Sequence, residues 1–119
     1  MRGEFIMPFI NVKTNVPVGS DKEKAIKSAL GRDITALPGK TESWLMVGLE
    51  PECHLWFKGT DEPAALVDVS VYGGADADAY RALTGKVSAL LAEELGLKPD
   101  RIYVKYSSTP DWGWNGDNF

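Results

Sequence analysis

Ala65-Leu-Val-Asp-Val-Ser-Val-Tyr72, ended by Gly73-Gly74, is the stretch on which the fold turns. Leu66, Val67, Val69 and Val71, with the aromatic Tyr72, make it the clearest strand of the chain. Asp76 or Asp78 then supplies an N-cap. Tyr80, Leu83, Val87, Leu90, Leu91 and Leu95 fall on one side of a helix, opposite Arg81, Glu93 and Glu94. Gly96 stops that helix, Pro99 follows closely, and Arg101-Ile-Tyr-Val-Lys-Tyr106 reads as a second strand. A strand, a helix and a strand in that order make a crossover unit, whose two strands pair in parallel.

Upstream the same order recurs. Pro8-Phe-Ile-Asn-Val-Lys-Thr14 alternates and is rich in β-branched and aromatic residues, with the proline at the start, where no ladder donor is needed. Ser20-Asp-Lys-Glu23 has the spacing of a capping box. Ala25, Ile26, Ala29, Leu30, Ile34 and Leu37 then recur every three or four residues up to Pro38-Gly39, which predicts a helix through Leu37. Ser43-Trp-Leu-Met-Val-Gly-Leu49 predicts the partner strand, and His54-Leu-Trp-Phe57 a short strand ending at Gly59. The expected architecture is α+β, with tandem βαβ units forming a four-stranded mixed sheet and two helices on one face. The other face is expected to be apolar enough to require burial by further copies of the chain.

The 119 residues suffice for one domain, with 44% hydrophobic and 25% charged side chains. The net charge of −4 and scattered basic residues offer no clustered surface for nucleic acid or an anionic membrane. No apolar run is long enough for membrane insertion. Cys53 is the only cysteine, so no intrachain disulfide, Cys-x-x-Cys redox pair or multi-cysteine zinc site can be built. Neither a metal nor a cofactor is expected, since His54, Cys53 and the carboxylates show no ligand spacing. Without a signal peptide the expected compartment is the cytoplasm, and secretion would have to proceed by an unconventional route. Residues 1–6 precede Met7-Pro8 and read as an extension or expression remnant, leaving 7–119 as the domain.

Met7-Pro8-Phe-Ile-Asn-Val-Lys-Thr-Asn15, Phe57-Lys-Gly-Thr-Asp-Glu-Pro63, Pro99-Asp-Arg-Ile-Tyr103 and Trp112-Gly-Trp-Asn-Gly-Asp-Asn-Phe119 together resemble the macrophage migration inhibitory factor family of the tautomerase superfamily. The resemblance implies a homotrimeric barrel of sheets and keto–enol tautomerase activity on aryl α-keto acids such as phenylpyruvate. It implies that Pro8 is the base, Lys40 a pocket lysine, and Tyr72 the residue whose backbone N–H contacts substrate. Tyr103 and Lys105 correspond to pocket residues given by a neighbouring subunit, and Phe9, Trp44, Trp112, Trp114 and Phe119 to an apolar rim. Three departures stand out. Lys105 replaces the family's asparagine, and Trp44 and Trp112 replace smaller or more polar residues. The Cys-x-x-Cys of vertebrate members is Ala64-Ala-Leu-Val67, which excludes their thiol chemistry.

An N-terminal secondary amine can act as a base near neutral pH when desolvation and a nearby cation disfavour its ammonium form. While residues 1–7 remain attached, Pro8 nitrogen is a tertiary amide without basicity, so the extended chain is expected to turn over weakly or not at all. Read without the resemblance, Pro8 is simply a strand-start proline and Lys40 a helix-end lysine. The competing reading is a secreted cytokine-like or host-modulating protein with vestigial tautomerase activity, whose partner would be a cell-surface receptor.

Overall fold

The computed structural model describes residues 7–118; the extension 1–6 and Phe119 lie outside the described residues. Four strands form one sheet in the order β2-β1-β3-β4: β1 (Pro8–Thr14), β2 (Met46–Glu50), β3 (Ala65–Tyr72) and β4 (Ile102–Thr109). β1 pairs with β2 in parallel and β3 with β4 in parallel, while β1 and β3 run antiparallel at the centre. Two crossover units are thus joined back to back, with helices α1 (Ser20–Asp33) and α2 (Ala77–Leu95) on the same face.

The alternation in the strands explains the layering. Ile10, Val12, Val67, Val69 and Val71 are fully buried beneath Ile26, Leu30, Leu83, Val87 and Leu91. Each such side chain removed from water contributes about 1.5–3 kcal/mol, so this layer dominates the stability of the fold. Asp76 caps α2, its Oδ1 accepting the Ala79 N–H at 2.8 Å, and Gly96 closes it in the left-handed conformation at φ 68°.

Five expectations need correction. Ser20 does not cap α1: Gly19 is the N-cap, no side chain caps that end, and Glu23 N–H already reaches Gly19 O at 2.9 Å, which makes Ser20 the first helical residue. The helix ends at Asp33, and Ile34–Ala36 continues as a 3₁₀ turn. The second strand begins at Met46 rather than Ser43, because Glu42–Trp44 is another 3₁₀ turn and the ladder starts only where Phe9 faces Met46. His54–Phe57 forms no strand; only Phe57 makes a bridge, to Thr60 across a tight turn. The strand after α2 is Ile102–Thr109 rather than Arg101–Tyr106, because Arg101 ends a 3₁₀ turn and the ladder with β3 runs on to Thr109.

The open sheet face is more polar than expected. Asn11 Nδ2 donates to Glu50 Oε2 at 2.7 Å, and Lys105 Nζ lies 3.7 Å from Asp68 Oδ2 across its middle. Gly48 leaves room for that amide, since a Cβ there would come within 2.5 Å of Asn11 Oδ1 and make the side chain shift. Large exposed apolar side chains sit instead at the two sheet edges and beyond: Met46 on β2, Tyr103 on β4, and Trp56 and Trp114 in the flanking segments. Edge strands with unpaired backbone groups are the places where another chain can add on.

Candidate active site

Pro8 is buried at the start of β1, opposite Val71 of β3. Beside it opens a cleft of about 420 Å³ lined by Met7, Pro8, Phe9, Ser43, Trp44, Leu45, Met46, Trp112, Gly113 and Trp114. Four of the five expected rim residues therefore come together; Phe119, the fifth, lies outside the described residues. The far wall is a two-stranded hairpin of β5 (Gly113–Trp114) and β6 (Asp117–Asn118). Asn115 and Gly116 turn it with φ of 55° and 83°, the backbone that an Asn-Gly pair adopts most readily. The hairpin sets the Trp114 ring edge-on to Trp44, with centroids 5.0 Å apart at 82°. This geometry favours aromatic pairs through their quadrupoles and gives the cleft a fixed indole wall.

Lys40 does not line this cleft. Its side chain is 2% exposed, and its Nζ has no hydrogen-bond partner among the described residues. Burial pushes its pKa down from the ordinary lysine value. The backbone holds it in place, Lys40 N–H donating to Leu37 O at 3.1 Å in the link between the two 3₁₀ turns. A buried ammonium without an acceptor is costly, and it creates a strong preference for an anion.

Tyr72 N–H donates to Met7 O at 3.2 Å, continuing the β1–β3 ladder by one residue. In the extended chain, the donor expected to meet substrate is thus engaged by the residue preceding Pro8. The Met7 side chain is itself 3% exposed and lines the cleft.

Tyr103 and Lys105 are not brought to Pro8. Tyr103 faces Leu66, which faces Lys13 near the far end of β1, and Lys105 faces Asp68, which faces Asn11. Both lie on the open face of the edge strand β4, and Tyr103 is 61% exposed. Met46, a cleft residue, was not singled out from the sequence, because in strand periodicity it is one apolar position among several. Among the described residues, no group of three or more His, Cys, Asp or Glu side chains could hold a metal, and no helix is long and apolar enough to cross a membrane.

The sequence pattern described as Macrophage migration inhibitory factor (MIF) matches residues 7–119. The chain belongs to the macrophage migration inhibitory factor family. It is 32% identical over 115 residues to the macrophage migration inhibitory factor of Meriones unguiculatus, an alignment covering 95% of this chain and 99% of that one. It is 30% identical to the homologue of Trichuris trichiura, covering 95% and 100%. The crystal structure of Leishmania major MIF2 superposes with a TM-score of 0.89 at 32% identity, covering 95% of this chain and 97% of that one. The Prochlorococcus marinus homologue gives 0.79 at 29%, covering 93% and 98%. The family includes tautomerase-type proteins and cytokine-like members. Its match opens at Met7, so it takes in the whole cleft, and residues 1–6 lie outside it.

Proposed function

We propose that this protein is a keto–enol tautomerase of aryl α-keto acids such as phenylpyruvate, with Pro8 as its base once residues 1–7 are removed. The observation that carries this reading is the placement of Pro8, buried at the foot of a cleft walled by Phe9, Trp44, Trp112 and Trp114. Ketonisation takes a proton from the enol oxygen and delivers one to the adjacent carbon, and an amine near neutrality can do both. Aromatic walls exclude water and hold the amine's pKa down, since desolvation disfavours its charged form. The same walls offer an apolar surface to the aryl ring.

The remaining roles follow from chemistry. Lys40, a buried cation in need of an acceptor, takes the substrate carboxylate in the shortened chain, although in the extended chain it stands outside the lining of the cleft. Tyr72 N–H becomes available for a substrate oxygen when Met7 leaves, because Met7 O is its acceptor in the extended chain. Tyr103 and Lys105 complete the site from a neighbouring copy in a homotrimer, since their own chain keeps them on the opposite edge strand. Every strand and helix among the described residues lies within 8–118, so a chain that begins at Pro8 keeps all of them. Of the described residues it loses only Met7, with its buried side chain and its bond to Tyr72.

The test compares phenylpyruvate ketonisation by the full chain and by the chain beginning at Pro8. A positioned base contributes about 10²–10⁴-fold, and the shortened protein is expected to gain at least the lower figure. Equal turnover by the two would sink the proposal.

A further inference from the structure

We infer that Arg101 is a positioning residue for Tyr103, acting through the Phe57 ring. The inference rests on the proposed reading in which Tyr103 enters the site of a neighbouring copy.

Arg101 ends the 3₁₀ turn Pro99–Arg101 and is 8% exposed, yet no carboxylate among the described residues pairs with it. Its guanidinium is surrounded by backbone carbonyls. Nε donates to Pro63 O at 3.0 Å and Nη1 to Phe57 O at 3.0 Å; Nη2 donates to Glu62 O at 2.9 Å and Thr60 O at 3.3 Å. The Phe57–Pro63 loop is thus wrapped around one planar fork. Lys58 and Gly59 turn with φ of 53° and 78°, which brings those carbonyls to one centre. A lysine has three donors at one point and cannot satisfy four carbonyls spread in this way.

The loop so held carries Phe57, whose ring lies 5.3 Å from the guanidinium carbon. The same ring has Lys58 Nζ 5.4 Å from its centroid and meets Tyr103, with centroids 4.8 Å apart at 65°. Tyr103 projects from an edge strand and would otherwise be free to turn about χ1. Contact with Phe57 holds the ring in one orientation while leaving it accessible. An aromatic side chain fixed before it meets its partner loses less entropy on binding, so the effect belongs in substrate affinity rather than in the proton transfer.

A kinetic cycle in the chain beginning at Pro8 tests this, using Arg101→Met, Phe57→Leu, Tyr103→Ala and the two doubles with Tyr103→Ala. Phe57→Leu removes the ring but keeps the carbonyl that Arg101 grips. Arg101→Met is expected to raise KM for phenylpyruvate about tenfold and Phe57→Leu several-fold, with kcat held within about twofold. Neither is expected to change KM further once Tyr103 is alanine. Equal effects on both backgrounds, or an unchanged KM in Phe57→Leu, would overturn the inference. If Arg101→Met does not fold, Phe57→Leu decides alone. If the parent itself has no turnover, the tautomerase reading fails, and positioning is read from the nuclear Overhauser contact between the Phe57 and Tyr103 rings in the full chain. Loss of that contact in Arg101→Met upholds the inference; its retention overturns it.

Discussion

The two crossover units share a topology but differ in how they are finished. In the second, α2 runs 19 residues between an aspartate cap and a left-handed glycine. It is also tied to β4: Tyr106 OH donates to Tyr80 O at 2.9 Å and lies 2.7 Å from Thr84 Oγ1. In the first, α1 runs 14 residues from a glycine cap, loosens into a 3₁₀ turn, and is followed by the buried Lys40 and a second 3₁₀ turn at Glu42–Trp44. The unit that supplies Pro8 and Trp44 to the cleft is the irregular one. Departures from local regularity accumulate where geometry serves a site, and the regular unit supplies stability.

The largest expected effect tests that division in the regular unit. Leu91 on α2 is fully buried, and Leu91→Ala is expected to cost about 2–5 kcal/mol by denaturant unfolding. A loss below about 1 kcal/mol would mean that α2 is not the principal support of the sheet.

The same division governs what could be read in the sequence. β1 and β3 occupy the residues that alternation in the one and branched side chains in the other predict. Of the two candidate caps Asp76 and Asp78 it is Asp76 that opens α2, which Gly96 closes. The failures cluster between Ile34 and Leu45, with the Ser20 cap, the His54–Phe57 strand and the ends of β4 misplaced besides. Ile34 and Leu37 are both fully buried, so their spacing of three satisfies the core equally well from a 3₁₀ turn as from a continued α-helix. Trp44 has strand propensity but sits where β1 has no residue to pair with it. Nothing in periodicity joins Trp44 to Trp112 and Trp114; that placement was legible only through family resemblance. Arg101 escaped because a loop wrapped on a guanidinium leaves no periodic trace.

Lys40 sharpens the comparison with an effect of opposite sign. Its buried Nζ has no partner among the described residues, so Lys40→Met is expected to stabilise the protein by about 1–3 kcal/mol at neutral pH. Burial depresses its pKa. Between that depressed value and the ordinary one, the unfolded chain holds a proton that the folded chain has released, so the Lys40 contribution makes stability rise with pH. Below the depressed value both states are protonated and the burial cost stands in full. Lys40→Met should flatten that rise in pH-dependent denaturation. In the chain beginning at Pro8, the same substitution is expected to lower kcat/KM about 30-fold through loss of a charge-assisted bond to the carboxylate. Greater stability together with unchanged turnover would separate Lys40 from the site.

The helix caps give the smallest effects. Asp76→Ala removes the side-chain acceptor of Ala79 N–H and is expected to cost about 1 kcal/mol. The complementary change, Gly19→Ser, is expected to add only a few tenths of a kcal/mol, because glycine is already a tolerated N-cap. The site accepts the change: Gly19 has φ −71° and ψ 165°, and an added Cβ meets nothing within 4 Å. Serine is a cleaner choice than aspartate, since Asp21 and Glu23 already complement the helix dipole and would repel a further carboxylate. Shifts in denaturation midpoint read both variants. A Gly19→Ser gain as large as the Asp76→Ala loss would mean that the start of α1 is frayed in solution, and the irregularity of the first unit would then extend well beyond the segment that shapes the cleft.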